Sequence, residues 1–210
     1  MHERVLLPSS DPRSFALAVE ALRSGRVVAF PTDTVYGLGA HCGMATAIRR
    51  LFEVKGRERQ KAIPLLLASI DKVVDVAREV PPIAWQLAEH FWPGAVTLVL
   101  HKAPSVLDVL TAGADSIAVR VPAHDVALQL ISELGVPLAA TSANLSGQAE
   151  ARTAQEVLDA LGTRVPLVLD GGRCPGGVAS TVVDLTTEPP TIRRRGILAD
   201  EVEAFLLRIL

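Results

Sequence analysis

Apolar residues recur along this chain with two periods. Phe15, Ala18, Val19 and Leu22 fall at i, i+3, i+4 and i+7, one face of a helix. Asp11 supplies its N-cap, Pro12 its first position and Gly25 its stop. Ile48, Leu51 and Phe52 mark the inner face of a second helix over Ala45–Val54. Ala127, Leu130, Ile131 and Leu134 mark another, closed by Gly135. Residues 70–77 and 83–91 also read as helical. The latter ends by Trp92, because Pro93 drives the residue before it out of the helical region. Thr153 and Glu156 form a capping box that opens a helix to Leu161. Asp200 starts a terminal helix with Val202, Phe205 and Leu206 on one side.

Short apolar runs bounded by Gly, Pro, Asn and Asp predict strands at 27–30, 63–67, 95–100, 116–121, 137–140, 167–170, 182–185 and 191–195. PTDTVYGLGA (31–40), TSANLSG (141–147) and GGRCPGG (171–177) read as loops. Residues 102–115 read as a loop or a short helix. Strands and helices alternate early and strands cluster late. That pattern predicts an α/β fold with a twisted mixed parallel/antiparallel sheet flanked by helices, not a doubly wound parallel sheet. No linker interrupts it, so residues 1–210 read as a single domain.

Composition narrows the function classes. A 49% hydrophobic chain with 4% aromatics has an aliphatic core and few rings for stacking nucleic-acid bases. A net charge of −2 excludes a general polyanion binder. Cys42 and Cys174 form no CxxC, which argues against a zinc site or a disulfide framework and favours the cytoplasm. The charged N-terminus lacks the apolar run of a secretion signal, and no stretch is long and apolar enough to predict a membrane span.

The chemistry begins with KGRERQK, where Lys55, Arg57, Arg59 and Lys61 occupy every second position. In an extended segment all four would project from one face. Such a face is either solvated or gathered around an anion such as a polyphosphate. There is no GxxxxGK[ST], and Gly37-Leu38-Gly39 lacks the third glycine of a dinucleotide loop. Any phosphate would therefore be held by cationic side chains. Ser142 and Asn144 follow a strand directly, where α/β sites sit, although both residues also favour ordinary turns. Arg120 is the lone charge in an apolar strand. It either pairs with Asp115 or Asp125, or clamps a carboxylate. Among Arg193, Arg194 and Arg195, strand alternation turns Arg194 away from its neighbours. Thr32, Asp33, Thr34 and Tyr36 either touch a ligand or cap backbone groups. The five histidines show no ligand spacing, so no residue is assigned to a metal, and no Ser/His/Asp triad is legible.

Six stretches in order, PTDTVYGLGA, Lys55-Gly56-Arg57, FWPGAVTLVL, AVRVPAH, TSANLSG and STVVDLT, resemble the YrdC-like family over about residues 14–196. Its KxR…SxN pattern matches Lys55, Arg57, Ser142 and Asn144. The resemblance implies a twisted mixed sheet with a cationic cavity. It also implies an L-threonylcarbamoyladenylate synthase that joins L-threonine, bicarbonate and ATP with release of pyrophosphate. The product would serve tRNA threonylcarbamoyl transferase proteins, which modify an adenosine beside the anticodon, with tRNA contact a further option. Mg2+ is expected with ATP. By the same resemblance Thr34, Arg120, Ala140 and Ser180 would contact threonine. Arg57, Lys61, Ser116, Ser142, Asn144 and Arg194 would contact ATP, and Lys55 and Arg57 would be catalytic.

Departures from the family pattern are Glu58 for a proline, Leu66 for a histidine that touches threonine in some members, and Arg195 for a proline. The last leaves Arg194 and Arg195 competing for the ATP contact. Some relatives carry a second C-terminal domain, for which this chain reads as too short. The alternatives from the residues themselves are an RNA-binding module, adenylation of a different carbamate, and a homologue without activity.

Overall fold

The computed structural model describes residues 5–209; His2 and the charged start of the chain lie outside them. The strands are β1 (Val5–Pro8), β2 (Val28–Phe30), β3 (Gly37–His41), β4 (Leu65–Leu66), β5 (Val96–His101), β6 (Ser116–Arg120), β7 (Leu138–Ser142), β8 (Leu167–Asp170), β9 (Thr181–Asp184) and β10 (Thr191–Arg194). All ten join one sheet in the order β1-β8-β2-β3-β7-β4-β6-β5-β9-β10. Pairing is parallel at β1–β8, β8–β2, β4–β6 and β5–β9 and antiparallel elsewhere, the mixed sheet expected.

Two strands escaped the sequence pattern. β1 is short and ends on a proline. β3, GLGAH, lies inside the stretch expected as loop, because glycine has low strand propensity. Packing explains its composition. A Cβ on Gly39 would stand 2.8 Å from side-chain atoms of both Phe30 and Leu138, so only glycine lets β3 lie between β2 and β7.

The helices are α1 (Pro12–Arg23), α2 (Ala45–Lys55), α3 (Pro82–Phe91), α4 (Asp108–Thr111), α5 (Asp125–Leu134), α6 (Ala154–Leu161) and α7 (Ala199–Ile209). The segment Ile70–Asp75 is a 3-10 helix, and α4 settles residues 102–115 as containing a short helix. The Asp11 cap accepts from the Arg13 amide at 3.0 Å. Thr153 accepts from the Glu156 amide at 3.2 Å, while the Glu156 carboxylate reaches back to the Arg152 amide at 2.6 Å. That is the expected box with its return bond displaced by one residue.

Strand alternation divides the core. Ala29, Leu65, Leu98, Val119, Ala139 and Val183 pack with α2, α3, α6 and α7 on one face. Val28, Phe30, Leu66, Leu138, Ala140 and Leu169 pack with α1 and α5 on the other. This second cluster takes no residue from β5, β6 or β9. There the sheet face becomes the floor of a cavity.

Candidate active site

The cavity holds about 340 Å³, within the range of small-molecule sites. Thr97, Ala118, Arg120, Ala140 and Val182 line it from strands β5, β6, β7 and β9, and Leu66 of β4 adds an apolar patch. Thr34, Arg57, Ser142, Glu150, Ser180 and Arg194 complete the wall. Of the residues that the family resemblance assigns to ligands, seven, Thr34, Arg57, Arg120, Ala140, Ser142, Ser180 and Arg194, thus meet around one space, joined there by Thr32 and Tyr36.

Arg120 anchors one end and is only 6% exposed. It donates to the Gly94 carbonyl at 2.8 Å and to Thr34 Oγ1 at 3.2 Å, and it forms an ion pair with Asp33. Its salt-bridge partner is therefore neither Asp115 nor Asp125: Asp115 pairs with Arg78 at 2.5 Å. Asp33 also accepts from the Ala123 amide at 3.1 Å, which ties the 31–36 loop to the end of β6. Burial lowers the Arg120 pKa from the ordinary guanidinium value, Asp33 opposes the shift, and Arg194 adds to it. A guanidinium has five N–H groups, so these bonds leave donors free for a ligand.

Arg194 reaches the wall from β10. A register shift between Ile192 and Arg194 sets Arg194, not Arg193, opposite the cavity residue Val182. Such bulges re-aim side chains. Arg194 Nε donates to the Ser180 carbonyl at 3.0 Å, and its terminal nitrogen bonds Ser180 Oγ at 3.1 Å. Ser180 Oγ in turn meets Thr97 Oγ1 at 2.7 Å. Arg195 points elsewhere, to Asp200 at 2.5 Å and Glu203 at 3.0 Å, and Arg193 pairs with buried Asp184. The choice between Arg194 and Arg195 for the cavity therefore falls to Arg194. Gly196 makes the close approach possible. A Cβ there would stand 2.3 Å from backbone atoms of Ser180 and Thr181.

The basic run does not form the extended cationic face expected of it. Lys55 ends α2, and Gly56 follows in the left-handed conformation at φ 60°. The chain then turns, so the period-two alignment of Lys55, Arg57, Arg59 and Lys61 is lost. Arg57 reaches the cavity, braced by the Lys61 carbonyl at 3.2 Å and the Ala62 carbonyl at 2.9 Å. Burial, and next Arg194, lower its pKa, with Glu58 opposing. Lys61 lies outside the wall and pairs with Glu58 at 3.3 Å.

Lys55 is also outside the wall, 3% exposed. Its ammonium donates to the Ser142 carbonyl at 2.5 Å, Ser142 Oγ at 3.1 Å, the Asn144 carbonyl at 3.1 Å and Asn144 Oδ1 at 2.6 Å. Burial lowers its pKa to about 8. In this structure its donors are directed to the 142–144 loop and not into the cavity. Asn144, 4% exposed, passes the contact on by donating to the Gln148 carbonyl at 2.6 Å. Ser116 shares the sheet face of Ala118 and Arg120 by alternation but lies beyond the cavity wall, paired with His101 at the far end of β6.

Sequence reasoning missed Glu150, Thr97, Ala118 and Val182. Glu150 sits in a polar loop with no motif to flag it. Thr97, Ala118 and Val182 were visible only as strand positions whose face was unknown.

The family model described as "Telomere recombination", Sua5_yciO_yrdC, matches residues 20–196. A threonylcarbamoyl-AMP synthase of Pyrococcus abyssi is 44% identical over 188 residues, 89% of this chain and 55% of that protein. The Bacillus subtilis protein of the same name is 40% identical over 95% of this chain and 58% of its own length. The chain thus spans a little over half the length of these two relatives. A putative threonylcarbamoyl-AMP synthase of Mycobacterium leprae is 40% identical over 90% of this chain and 86% of its own. In three dimensions, P. abyssi Sua5 complexed with L-threonine matches with a TM-score of 0.91 at 40% identity, covering 95% of this chain and 59% of that one. E. coli YciO matches at 0.83 and 28% identity over 94% and 97%. Motif order, sheet topology and these matches agree: the chain belongs to the Sua5/YciO/YrdC family.

Proposed function

We propose that the cavity binds L-threonine and ATP side by side and makes threonylcarbamoyl-AMP from them and bicarbonate, releasing pyrophosphate. The observation that carries this reading is the placement of Arg57, Arg120 and Arg194, from three remote segments, in one wall with hydroxyls between them. The names of the relatives, and the threonine complex of one of them, support it.

Arg120 is the natural seat for the amino acid's carboxylate, since guanidinium and carboxylate match as a planar fork. Thr34, bonded to Arg120, and Ser180, bonded to Arg194, offer hydroxyls for the amine or side-chain oxygen. Leu66 and Ala140 offer apolar contact to the methyl group. Arg57 and Arg194 face the phosphates, with Ser142 at their edge. Bicarbonate supplies carbon dioxide by loss of hydroxide, the neutral threonine amine bonds to its carbon, and the displaced amine proton neutralises the hydroxide, so that a carbamate and one water result. A carbamate oxygen then attacks the α-phosphorus in line, the bond to the β,γ-pyrophosphate breaks, and the leaving oxygen gains charge. Such chemistry runs on positioning and charge neutralisation, which fixed guanidiniums supply. Lys55 and Asn144 act through the loop they hold, as positioning residues.

Mg2+ accompanies ATP and neutralises part of its charge when bound. Among the described residues no group of three or more His, Cys, Asp or Glu side chains is placed to hold a metal, so the ion would ride mainly on the phosphates. Transfer of the threonylcarbamoyl group to tRNA would fall to a separate transferase. Among the described residues no helix is long and apolar enough to cross a membrane.

The test is pyrophosphate release with ATP, L-threonine and bicarbonate, omitting each in turn. Release that needs all three is the expected result. Release that persists without threonine, or none from folded protein, would overturn the reading.

A further inference from the structure

Among the described residues, the cavity wall carries a single acidic side chain, Glu150, facing a space otherwise edged by guanidiniums. Its placement is built from both sides. Upstream, Lys55 holds Asn144 at 2.6 Å, and Asn144 holds the Gln148 carbonyl at 2.6 Å. Downstream, the Ala151 carbonyl accepts from the Tyr36 amide at 2.8 Å, and Tyr36 borders the cavity. Glu150 thus sits on a short span pinned at both ends. No basic side chain lies within ion-pairing distance of it among the described residues, although its charge is felt at Lys55 and at Arg194, where it opposes the effect of burial.

A free carboxylate beside a triphosphate site is unfavourable unless a cation lies between them. Uncomplexed ATP would bring like charge against Glu150 in a half-buried setting where repulsion is poorly screened. Mg2+ reverses the sign of that contact. The ion is typically held through one or two carboxylates together with substrate phosphates and retains waters, and one carboxylate opposite phosphate-binding arginines fits that donor set.

We infer that Glu150 is the protein's own contact to the cation carried by the nucleotide, and that it makes the cavity select metal-complexed over free ATP. This rests on the nucleotide reading above. In this role the paired anchors of the 142–151 loop acquire a purpose beyond shaping the wall: they aim one carboxylate at the position where nucleotide charge is greatest.

The test compares wild type with Glu150→Gln, which keeps the side chain's shape. ATP affinity is measured by calorimetry with Mg2+ and with a chelator, and Mn2+ binding to the protein–ATP complex is followed by electron paramagnetic resonance. L-threonine binding serves as the check on folding. Wild type should prefer the metal complex, and Glu150→Gln should shrink that preference by about tenfold or more, with a comparable loss in Mn2+ affinity. An unchanged preference and unchanged Mn2+ affinity in Glu150→Gln would overturn the inference while leaving ATP binding intact. Failure of wild type to bind ATP under either condition would overturn the nucleotide reading itself, and this inference with it.

Discussion

Arg120 and Asp33 give the most informative perturbation, because one ion pair serves both the fold and the proposed ligand. Arg120→Met removes the guanidinium and leaves Asp33, 13% exposed at its side chain, as a lone carboxylate in a nearly dry corner. Breaking a buried pair from one side costs about 3–5 kcal/mol, since the remaining charge has lost its compensation. A chain of this size shifts its melting temperature by about 2–4 °C per kcal/mol, so the single variant should melt roughly 6–20 °C lower. Adding Asp33→Asn removes the stranded charge, while the amide oxygen can still accept from Ala123. The double variant should recover to within about 2 kcal/mol of wild type. Threonine binding should not recover with it. Without the guanidinium, affinity should stay at least about 30-fold weaker, the lower end of what losing a buried charged partner costs. Thermal melts followed by circular dichroism and titration calorimetry with L-threonine separate the two effects. A double variant that binds threonine like wild type would refute the carboxylate's assignment to Arg120. A single variant that melts like wild type would refute the structural role of the pair.

Other predictions follow from the same geometry. Arg57→Ala should cost about 2–4 kcal/mol in transition-state stabilisation, read as a fall of roughly 30- to 1000-fold in pyrophosphate release with an unchanged circular dichroism spectrum; near-normal turnover would exclude it from the charge-neutralising set. Gly196→Ala forces a Cβ against the Ser180–Thr181 backbone and should lose about 1–3 kcal/mol in denaturant unfolding while weakening ATP binding through Arg194; a variant altered in neither would contradict the packing. Lys55 should show opposite pH effects on stability and activity. Its folded pKa of about 8 lies below the ordinary 10.5, so between those values the unfolded chain holds a proton that the folded chain has released. Its contribution to stability therefore rises with pH across that window, while the clamp on Ser142 and Asn144 loses a donor and pyrophosphate release falls as pH passes about 8. A denaturant-midpoint gap between wild type and Lys55→Met that stays constant from about pH 7.5 to about pH 10 would contradict the linkage.

How much was legible in the sequence varied with the kind of interaction that fixes each element. Helices α1, α2, α5 and α6 were readable because their caps and apolar faces are local in sequence. β3 was not, because what places a glycine-rich segment in a sheet is the room it leaves for Phe30 and, far along the chain, for Leu138. Arg120 stood out as a lone charge on an apolar strand, yet its partner Asp33 is 87 positions away and could not be chosen from charge pattern. Alternation singled out Arg194 from its neighbours, and the β10 bulge decided which face that was. The basic run failed as a geometric prediction because Gly56 ends α2 in the left-handed conformation and turns the chain. The family motif joined Lys55 to Ser142 and Asn144 by resemblance, whereas the physical link, a buried ammonium holding a loop, is a contact between segments far apart in the chain.

A structure of the protein solved with L-threonine and a non-hydrolysable ATP analogue tests the shared cavity most directly. The expected result is both ligands in that space, the threonine carboxylate on Arg120 and the phosphates on Arg57 and Arg194. Either ligand bound elsewhere, with those three arginines untouched, would contradict it.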